Sequence, residues 1–526
     1  MKEDNKHNTY NTLFHWHSFR LKLVFEGIAV GILTGLLIIL YRFSLEKSME
    51  FIKYIYGVLL IKPYLIPIWV GVLVIVGFIV GKIIKAEPMV SGSGIPQVEG
   101  VLLRKLKMSW WKVILGKFFG GVLAIGSGLS LGREGPSVQL GAAIGQGFSK
   151  IFKRIKLEEK YLITSGASAG LAAAFNAPLA GVMFALEEVH KNFSPLVLLS
   201  SLAAALSADY VSSGFFGLKP VLNFKTLNAL PLKSYFYIIV LGVVLGALGG
   251  LFNKSILMFQ TLYSKLRRIP KEFHIIIPMI ISILLGLVLP QVLGGGHELI
   301  TSLLANGGSP ILFLLMLLLA KFLFTMVSYG SGAPGGIFLP LLSIGALIGS
   351  IYGFLAVYLF HFENIYINSF IILAMAGYFT AVVRAPITGI ILITEMTGSF
   401  NHLLSLAIVS ITAYIVADLL GSKPIYESLL ERILRKQGRK VAIGSYKHKS
   451  ILEFAICMGS ELDGKVIKDI KWPSHCLLVA VKRGEQEIIP KGDTALYAGD
   501  YLIVLTNDDK VSKINDSFAK IIGHCE

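Results

Sequence analysis

Three glycine-rich breaks in apolar sequence are the places where this chain can handle an anion. Gly126-Ser-Gly-Leu-Ser-Leu-Gly-Arg-Glu-Gly-Pro136 and Gly330-Ser-Gly-Ala-Pro-Gly-Gly-Ile-Phe-Leu-Pro340 each read as irregular backbone leading into a helix. A helix start leaves its first N–H groups without acceptors and adds the positive end of the helix dipole, so it attracts anions. Two such ends aimed at one point from opposite halves make an anion site with no full cationic charge. An ion held that loosely can also leave, as transport requires. The third break, Gly92-Ser-Gly-Ile-Pro96, precedes the first block and offers the Ser93 hydroxyl with a proline at a helix start.

The elements that must position these breaks are membrane helices. Of 526 residues, 54% are hydrophobic and only 15% charged, with a mean hydropathy of +0.70. A soluble protein carries about 25% charged residues, so the solvent here is lipid. Apolar runs recur from Gly27 to Leu420, among them Leu65–Ile84, Tyr235–Leu251 and Ile371–Met396. Many are long enough to span hydrocarbon as helices, while others are short or broken. Broken backbone at membrane depth survives only where it lines a cavity or is buried in protein. The net charge of +17 does not indicate a nucleic-acid polymer as partner. Its lysines and arginines cluster at segment ends, as in Lys150–Lys156, Lys265–Arg268 and Arg432–Lys440, where they orient helices across a bilayer.

The two long breaks belong to an internal repeat. The eleven-residue blocks align without gaps, and the match continues into Gly141–Gly145 and Gly345–Gly349. Phe175-Asn-Ala-Pro-Leu-Ala-Gly181 then falls on Val383-Arg-Ala-Pro-Ile-Thr-Gly389, and both copies end in an acid, Glu187 and Glu395. Matching interrupted helices in two halves mark a transporter whose site lies at the repeat interface. Residues alone do not say whether the repeat is inverted. Glu187 and Glu395 are read as structural acids near polar partners. Lys117, inside the apolar run Val113–Ile125, either adds positive potential to the ion path or pairs with a buried acid.

At these residues the chain resembles a known family. Gly92–Pro96, Gly132-Arg-Glu-Gly-Pro136 and Gly336-Ile-Phe-Leu-Pro340 look like the three signature motifs of CLC chloride channels and transporters, in family order. Tyr426 in Lys423-Pro-Ile-Tyr426 matches a fourth position, and the resemblance runs from about Leu21 to Gln437. It implies an all-α polytopic membrane protein of two related halves with broken helices, forming a homodimer with one ion path per protomer. Ser93 and Tyr426 then resemble hydroxyl donors to a central chloride, beside the backbone N–H groups of Ile337 and Phe338. Glu134 resembles the gating glutamate, whose carboxylate mimics the anion at a helix N-terminus and competes with chloride until protonated. Ser93 favours chloride over nitrate or fluoride. Glu188 sits where the family's exchangers carry a proton-transfer acid, and an ionisable group in a membrane helix is costly enough to imply function. Its structural alternative is a pairing with a lysine or arginine at a helix end. The reading is H+/Cl− exchange, with a passive chloride channel as the alternative, and no cofactor.

After Lys440 the composition turns soluble. Leu477–Val481 and Tyr501–Leu505 read as strands between turn residues, in a small α/β domain reached through a basic helix, Ile425–Arg439. Lys482–Gly484, Pro490–Thr494 and Gly499–Val504 resemble the TrkA-C (RCK_C) regulatory domain of potassium-transport gating proteins. That resemblance implies dimerisation and, in some families, cyclic di-AMP bound across the dimer. Such a cyclic dinucleotide site would fall on Ile470, Trp472, His475, Cys476 and Pro490, with Trp472 stacking on a base; the structural alternative is a dimerisation module with Trp472 in its core. The expected division is an N-terminal cytoplasmic segment (1–20), a membrane domain (21–437), a linker (438–450) and a regulatory domain (451–526). The setting is a bacterial-type cell membrane, with the tail cytoplasmic. The first twenty residues lack the features of a signal peptide. The three cysteines (Cys457, Cys476, Cys525) lack metal-ligand spacing and are expected to be reduced. No nucleophile–base pairing emerges either, so an enzyme is not expected.

Overall fold

Proline starts several of the helices, and most of the long ones are apolar enough for lipid. The computed structural model describes residues 9–218, 220–222, 228–266, 268–305, 310–438, 449–484, 486–507 and 510–522, with side chains from residue 19 onward apart from residue 305. Most of the expected linker (438–450) and residues 1–8 of the expected N-terminal segment fall outside these. The chain divides into two compact units, residues 1–433 and 434–526.

The first half of the membrane unit holds α1 (Thr9–Ile61), α2 (Ile66–Ala86), α3 (Ile95–Leu102), α4 (Trp110–Gly126), α5 (Glu134–Ile151), α6 (Lys156–Phe175), α7 (Pro178–Phe184) and α8 (Pro195–Phe216). The second holds α9 (Tyr235–Lys265), α10 (Ile276–Val288), α11 (His297–Ala305), α12 (Ile311–Gly330), α13 (Phe338–Phe360), α14 (Ile367–Val383), α15 (Pro386–Thr397), α16 (Leu403–Leu419) and α17 (Ile425–Lys436). Among the described residues eight helices are long and apolar enough to cross a bilayer, making this a multi-span membrane protein. Helix α1 is already formed at Thr9, within the segment expected to precede the membrane domain. Proline opens α2, α3, α7, α8 and α15, where its missing N–H costs nothing.

The repeat read in the sequence is a repeat in space. Helices α5 and α6 pack so closely that a Cβ on Gly141 or Gly166 would lie 2.0 Å from the other's carbonyl oxygen. Their counterparts α13 and α14 meet through Gly345 and Gly349 against the backbone of Ala374 and Phe370. Small residues let membrane helices gain dispersion contacts where no hydrophobic force acts between them. The most apolar windows of α13 and α14 are 78% and 83% buried, against 22–44% for the other spans, so this pair lies away from lipid.

The C-terminal unit is a four-stranded antiparallel sheet, β1 (Lys449–Ala455), β2 (Cys476–Arg483), β3 (Gln486–Ile488) and β4 (Tyr501–Asn507), in the order β1-β4-β2-β3. A helix, α18 (Val511–Ile522), buries Ile514, Phe518 and Ile522 in its core, and Phe518 stacks on Phe454 at 4.2 Å. Both expected strands lie inside β2 and β4; β1 and β3 were not foreseen. Cys476 is free. Cys457 is disulfide-bonded, which corrects the expectation that it is reduced: spacing alone carries no information on pairing. Cys525 lies outside the described residues.

Candidate functional site

The three glycine-rich breaks are knitted into one element by their own backbone. Gly132 and Gly336 form an antiparallel bridge, each N–H donating to the other's carbonyl at 2.7 Å. Gly92 N–H donates to Gly332 O at 3.2 Å, and Gly335 N–H donates to Gly92 O at 3.0 Å. These bonds occupy the backbone groups that broken helices leave behind, as buried polar groups require. Gly132 and Gly336 are equivalent residues of the repeat. Equivalent segments therefore run antiparallel, as an inverted repeat demands, and α5 and α13 start from opposite sides of one bridge.

The side chains named from sequence gather around this bridge. Ser93 and Glu134 are 1% and 0% exposed, and Ile337, Phe338 and Tyr426 are equally buried. Ser93 packs against the start of α5, where a Cβ on Gly135 would lie 2.8 Å from Ser93 O and 3.2 Å from Gly336 Cα. Its Oγ accepts from Ile95 N–H at 3.2 Å, and the Tyr329 hydroxyl stands within hydrogen-bonding reach of it. Ile337 caps α13, whose first N–H groups have no intrahelical acceptor. Phe338 sits in an aromatic group with Phe175, Phe379 and Phe184, and Phe184 in turn meets Tyr426 edge-on at 6.4 Å. The Tyr426 hydroxyl is buried with no partner among the described residues. Both carboxylate oxygens of Glu134 are also buried, with no side-chain or ion partner among the described residues, and Oε2 folds back to 2.3 Å from where a Gly132 Cβ would stand, beside Leu339 N–H. This arrangement gathers a pair of helix starts, two hydroxyls and one carboxylate, donors of the kind that can hold a small monovalent anion.

Glu188 lies in a short π-helical turn, Ala185–His190, just after α7. It is 4% exposed, and its Oε1 has no partner. Its neighbour Lys191 pairs with Glu99 at 2.7 Å instead. Glu99, 3% exposed, sits on α3, the short helix that starts just after Ser93. One helix thus links the anion end to the acid end. The sequence reading passed over Glu99, although a carboxylate in an eight-residue apolar helix is a signal of its own.

Lys117 pairs with no acid. Its ammonium donates to Val90 O at 2.9 Å and Gly92 O at 2.6 Å, so it holds the loop that carries Ser93. The second half repeats this arrangement with Lys321, which donates to Val292 O at 2.9 Å and Gly294 O at 2.7 Å. Gly294 N–H donates to Gly128 O as Gly92 N–H does to Gly332 O. The signal was present as Pro88-Met-Val-Ser-Gly-Ser-Gly94 against Pro290-Gln-Val-Leu-Gly-Gly-Gly296.

In the C-terminal unit, His475 and Cys476 line a cleft with Lys449, Leu477, Leu505, Thr506 and Asn507. Ile470, Trp472 and Pro490 are not part of that lining. Trp472 donates its ring N–H to Ile467 O at 3.1 Å and tilts against Phe518, so it belongs to the core of this unit.

The sequence pattern of the family described as voltage gated chloride channel matches residues 76–418, and that of the TrkA-C domain matches residues 451–519. Over 430 residues the chain is 38% identical to the H(+)/Cl(-) exchange transporter ClcA of Vibrio cholerae, covering 79% of this chain and 90% of that protein. The like-named transporter of Salmonella gallinarum is 34% identical over 441 residues, covering 81% and 91%. A slow cyanobacterial Cl-/H+ antiporter superposes with a TM-score of 0.74 at 32% identity, covering 79% of this chain and 99% of that structure. A CLC-type fluoride/proton antiporter gives 0.64 at 25% identity, covering 77% and 97%.

Proposed function

The chain belongs to the voltage gated chloride channel family, and from that premise we propose that it exchanges chloride for protons across a bacterial cell membrane. The observation that carries this reading is the buried Glu134 carboxylate lying where two opposed helix starts meet. A carboxylate there occupies an anion's place. Protonated, it loses its claim on the helix ends, swings out and lets chloride in; ionised, it returns and expels it. Chloride would rest between Ser93, Tyr426 and the N–H groups of Ile337 and Phe338. Glu188 would pass the proton toward the other side, off the chloride path, with Glu99 and Lys191 setting its surroundings. The exchange named for the bacterial relatives supports coupling rather than passive flow.

The protein would act as a homodimer, with the C-terminal unit on the cytoplasmic side. The basic helix α17, bearing Arg432, Arg435 and Lys436, precedes that unit as the positive-inside rule requires. For this unit we propose regulation by a cyclic dinucleotide such as cyclic di-AMP. Support comes from the TrkA-C match and from the cleft that His475 and Cys476 line. Trp472 would act there by shaping the core beneath the site rather than by stacking.

The test uses purified protein in liposomes with a chloride gradient and a lightly buffered bath. Uphill proton movement driven by chloride, lost in Glu134→Gln and in Glu188→Gln, is expected. Chloride flux without proton movement would leave a passive channel.

A further inference from the structure

Two arginines beside the gate share one acid. Glu46 Oε1 accepts from Arg42 Nε at 3.1 Å and from Arg133 Nη1 at 3.3 Å. Arg133 caps α5 and is the residue before Glu134, so this cluster stands one residue from the anion site. Both guanidiniums are held from behind. Arg42 donates to Asn176 Oδ1 at 2.9 Å and lies over the Phe216 ring at 3.8 Å. Arg133 donates to Ala174 O at 3.4 Å, while its Nε is buried and has no partner. The arginine side chains are 12% and 16% exposed, whereas Glu46 is 43% exposed. The cations are thus held from behind, and the anion between them is the most exposed of the three. The second half has nothing equivalent, because Ile337 stands where the repeat would place Arg133.

We infer that Arg42 and Arg133 form an anion-recruiting site at the mouth leading to Glu134, and that Glu46 is its tethered competitor. Two guanidiniums against one carboxylate leave a net positive charge, and both bonds fall on a single oxygen. Guanidinium is weakly hydrated and presents several donors, so a small monovalent anion can replace the carboxylate when Glu46 swings into solvent. The carboxylate sets how much chloride is needed to fill the mouth. This inference rests on chloride being the transported ion.

Initial chloride uptake into liposomes, measured against external chloride at low ionic strength, tests it. Glu46→Gln removes the competing charge and keeps the side chain's shape. The half-saturating chloride concentration should fall about three-fold or more, as a focused field implies, with the maximal rate nearly unchanged. The effect should shrink when an impermeant salt shortens the screening length. Arg42→Gln should raise the half-saturating concentration, and it serves as the second variant if Glu46→Gln does not reach the membrane. A half-saturation unmoved by either change, with normal maximal rate, overturns the competitor and leaves the exchange reading intact. No chloride uptake by the unsubstituted protein would sink both.

Discussion

Glu187 and Glu395 each cap a helix of the other's half. Glu187 accepts from Ile387 N–H at 3.3 Å, Thr388 N–H at 2.8 Å and the Thr388 hydroxyl at 2.8 Å, at the start of α15. Glu395 accepts from Leu179 N–H at 3.1 Å and Ala180 N–H at 2.7 Å, at the start of α7. Both helices open on a proline, and each acid neutralises N–H groups that would otherwise be orphaned. The exchange is symmetrical about the same repeat that pairs Gly132 with Gly336. It ties the halves together at a second place, away from the Gly132–Gly336 bridge.

Losing either cap should therefore cost stability before it costs transport. Glu395→Ala is expected to destabilise the membrane domain by about 1–2 kcal/mol, the range for a helix cap, read as a lower midpoint of thermal unfolding in detergent. Glu395→Gln keeps an acceptor oxygen and should lose less. Equal losses would mean that charge, not capping geometry, is what α7 requires.

Lys117 and Lys321 make a second symmetrical pair with unequal consequences. Replacing either with methionine keeps the volume and removes two hydrogen bonds to loop carbonyls; Gly92 O keeps its bond from Gly335 N–H, and each carbonyl left unpaired costs about 1–3 kcal/mol. Both variants should unfold earlier. Only Lys117→Met loosens the loop carrying Ser93, so chloride binding by titration calorimetry should weaken in it and persist in Lys321→Met. Equal binding in both would show that the Ser93 loop is held without its lysine.

Two glycines near the bridge would separate the proposed gate from its scaffold. A Cβ on Gly132 would meet Glu134 Oε2, the far end of a flexible side chain, at 2.3 Å. Gly132→Ala should push the carboxylate out and give chloride flux with reduced proton coupling. A Cβ on Gly135 would meet Ser93 O at 2.8 Å and Gly336 Cα at 3.2 Å, which are backbone atoms that cannot step aside. Gly135→Ala should lose chloride flux itself. Liposome assays recording both ions distinguish the two, and full coupling in Gly132→Ala would contradict the placement of the gate.

What the sequence disclosed follows from where its information is local. Ser93, Glu134 and the Ile337–Phe338 helix start stand in short runs whose residue types state their chemistry, and the repeat aligned them. Lys117 was visible as a buried cation, but its partners are carbonyls, which carry no residue-type signal. The Lys321 loop escaped notice because a glycine stands where the first half has the Ser93 hydroxyl. Glu46 and Arg133 lie 87 positions apart and only the fold joins them. Trp472 fits a stacking platform or a core residue equally well by type, and only the fold shows that it bonds to Ile467 and packs against Phe518.

In the C-terminal unit, Arg483 and Asp500 fix the entry to β4. Arg483 donates to Asp500 through Nε at 2.8 Å and Nη2 at 2.7 Å, and Tyr497 N–H adds a bond to Oδ2 at 2.9 Å. The bond from Arg483 holds the Asp500 carboxyl below the usual carboxylate range. In an unfolded chain the same carboxyl would titrate near 4. Folding therefore favours the ionised form. The stabilisation is complete above that unfolded value and disappears as pH falls through the lower, folded one. Because the guanidinium is 40% exposed, solvent limits the gain to about 1 kcal/mol. Protection of β4 amides from hydrogen exchange, measured on the full chain, should accordingly fall as the pH drops below that unfolded value. Asp500→Asn should start lower and show a flatter profile, whereas an unchanged profile would assign the acid sensitivity to other carboxylates.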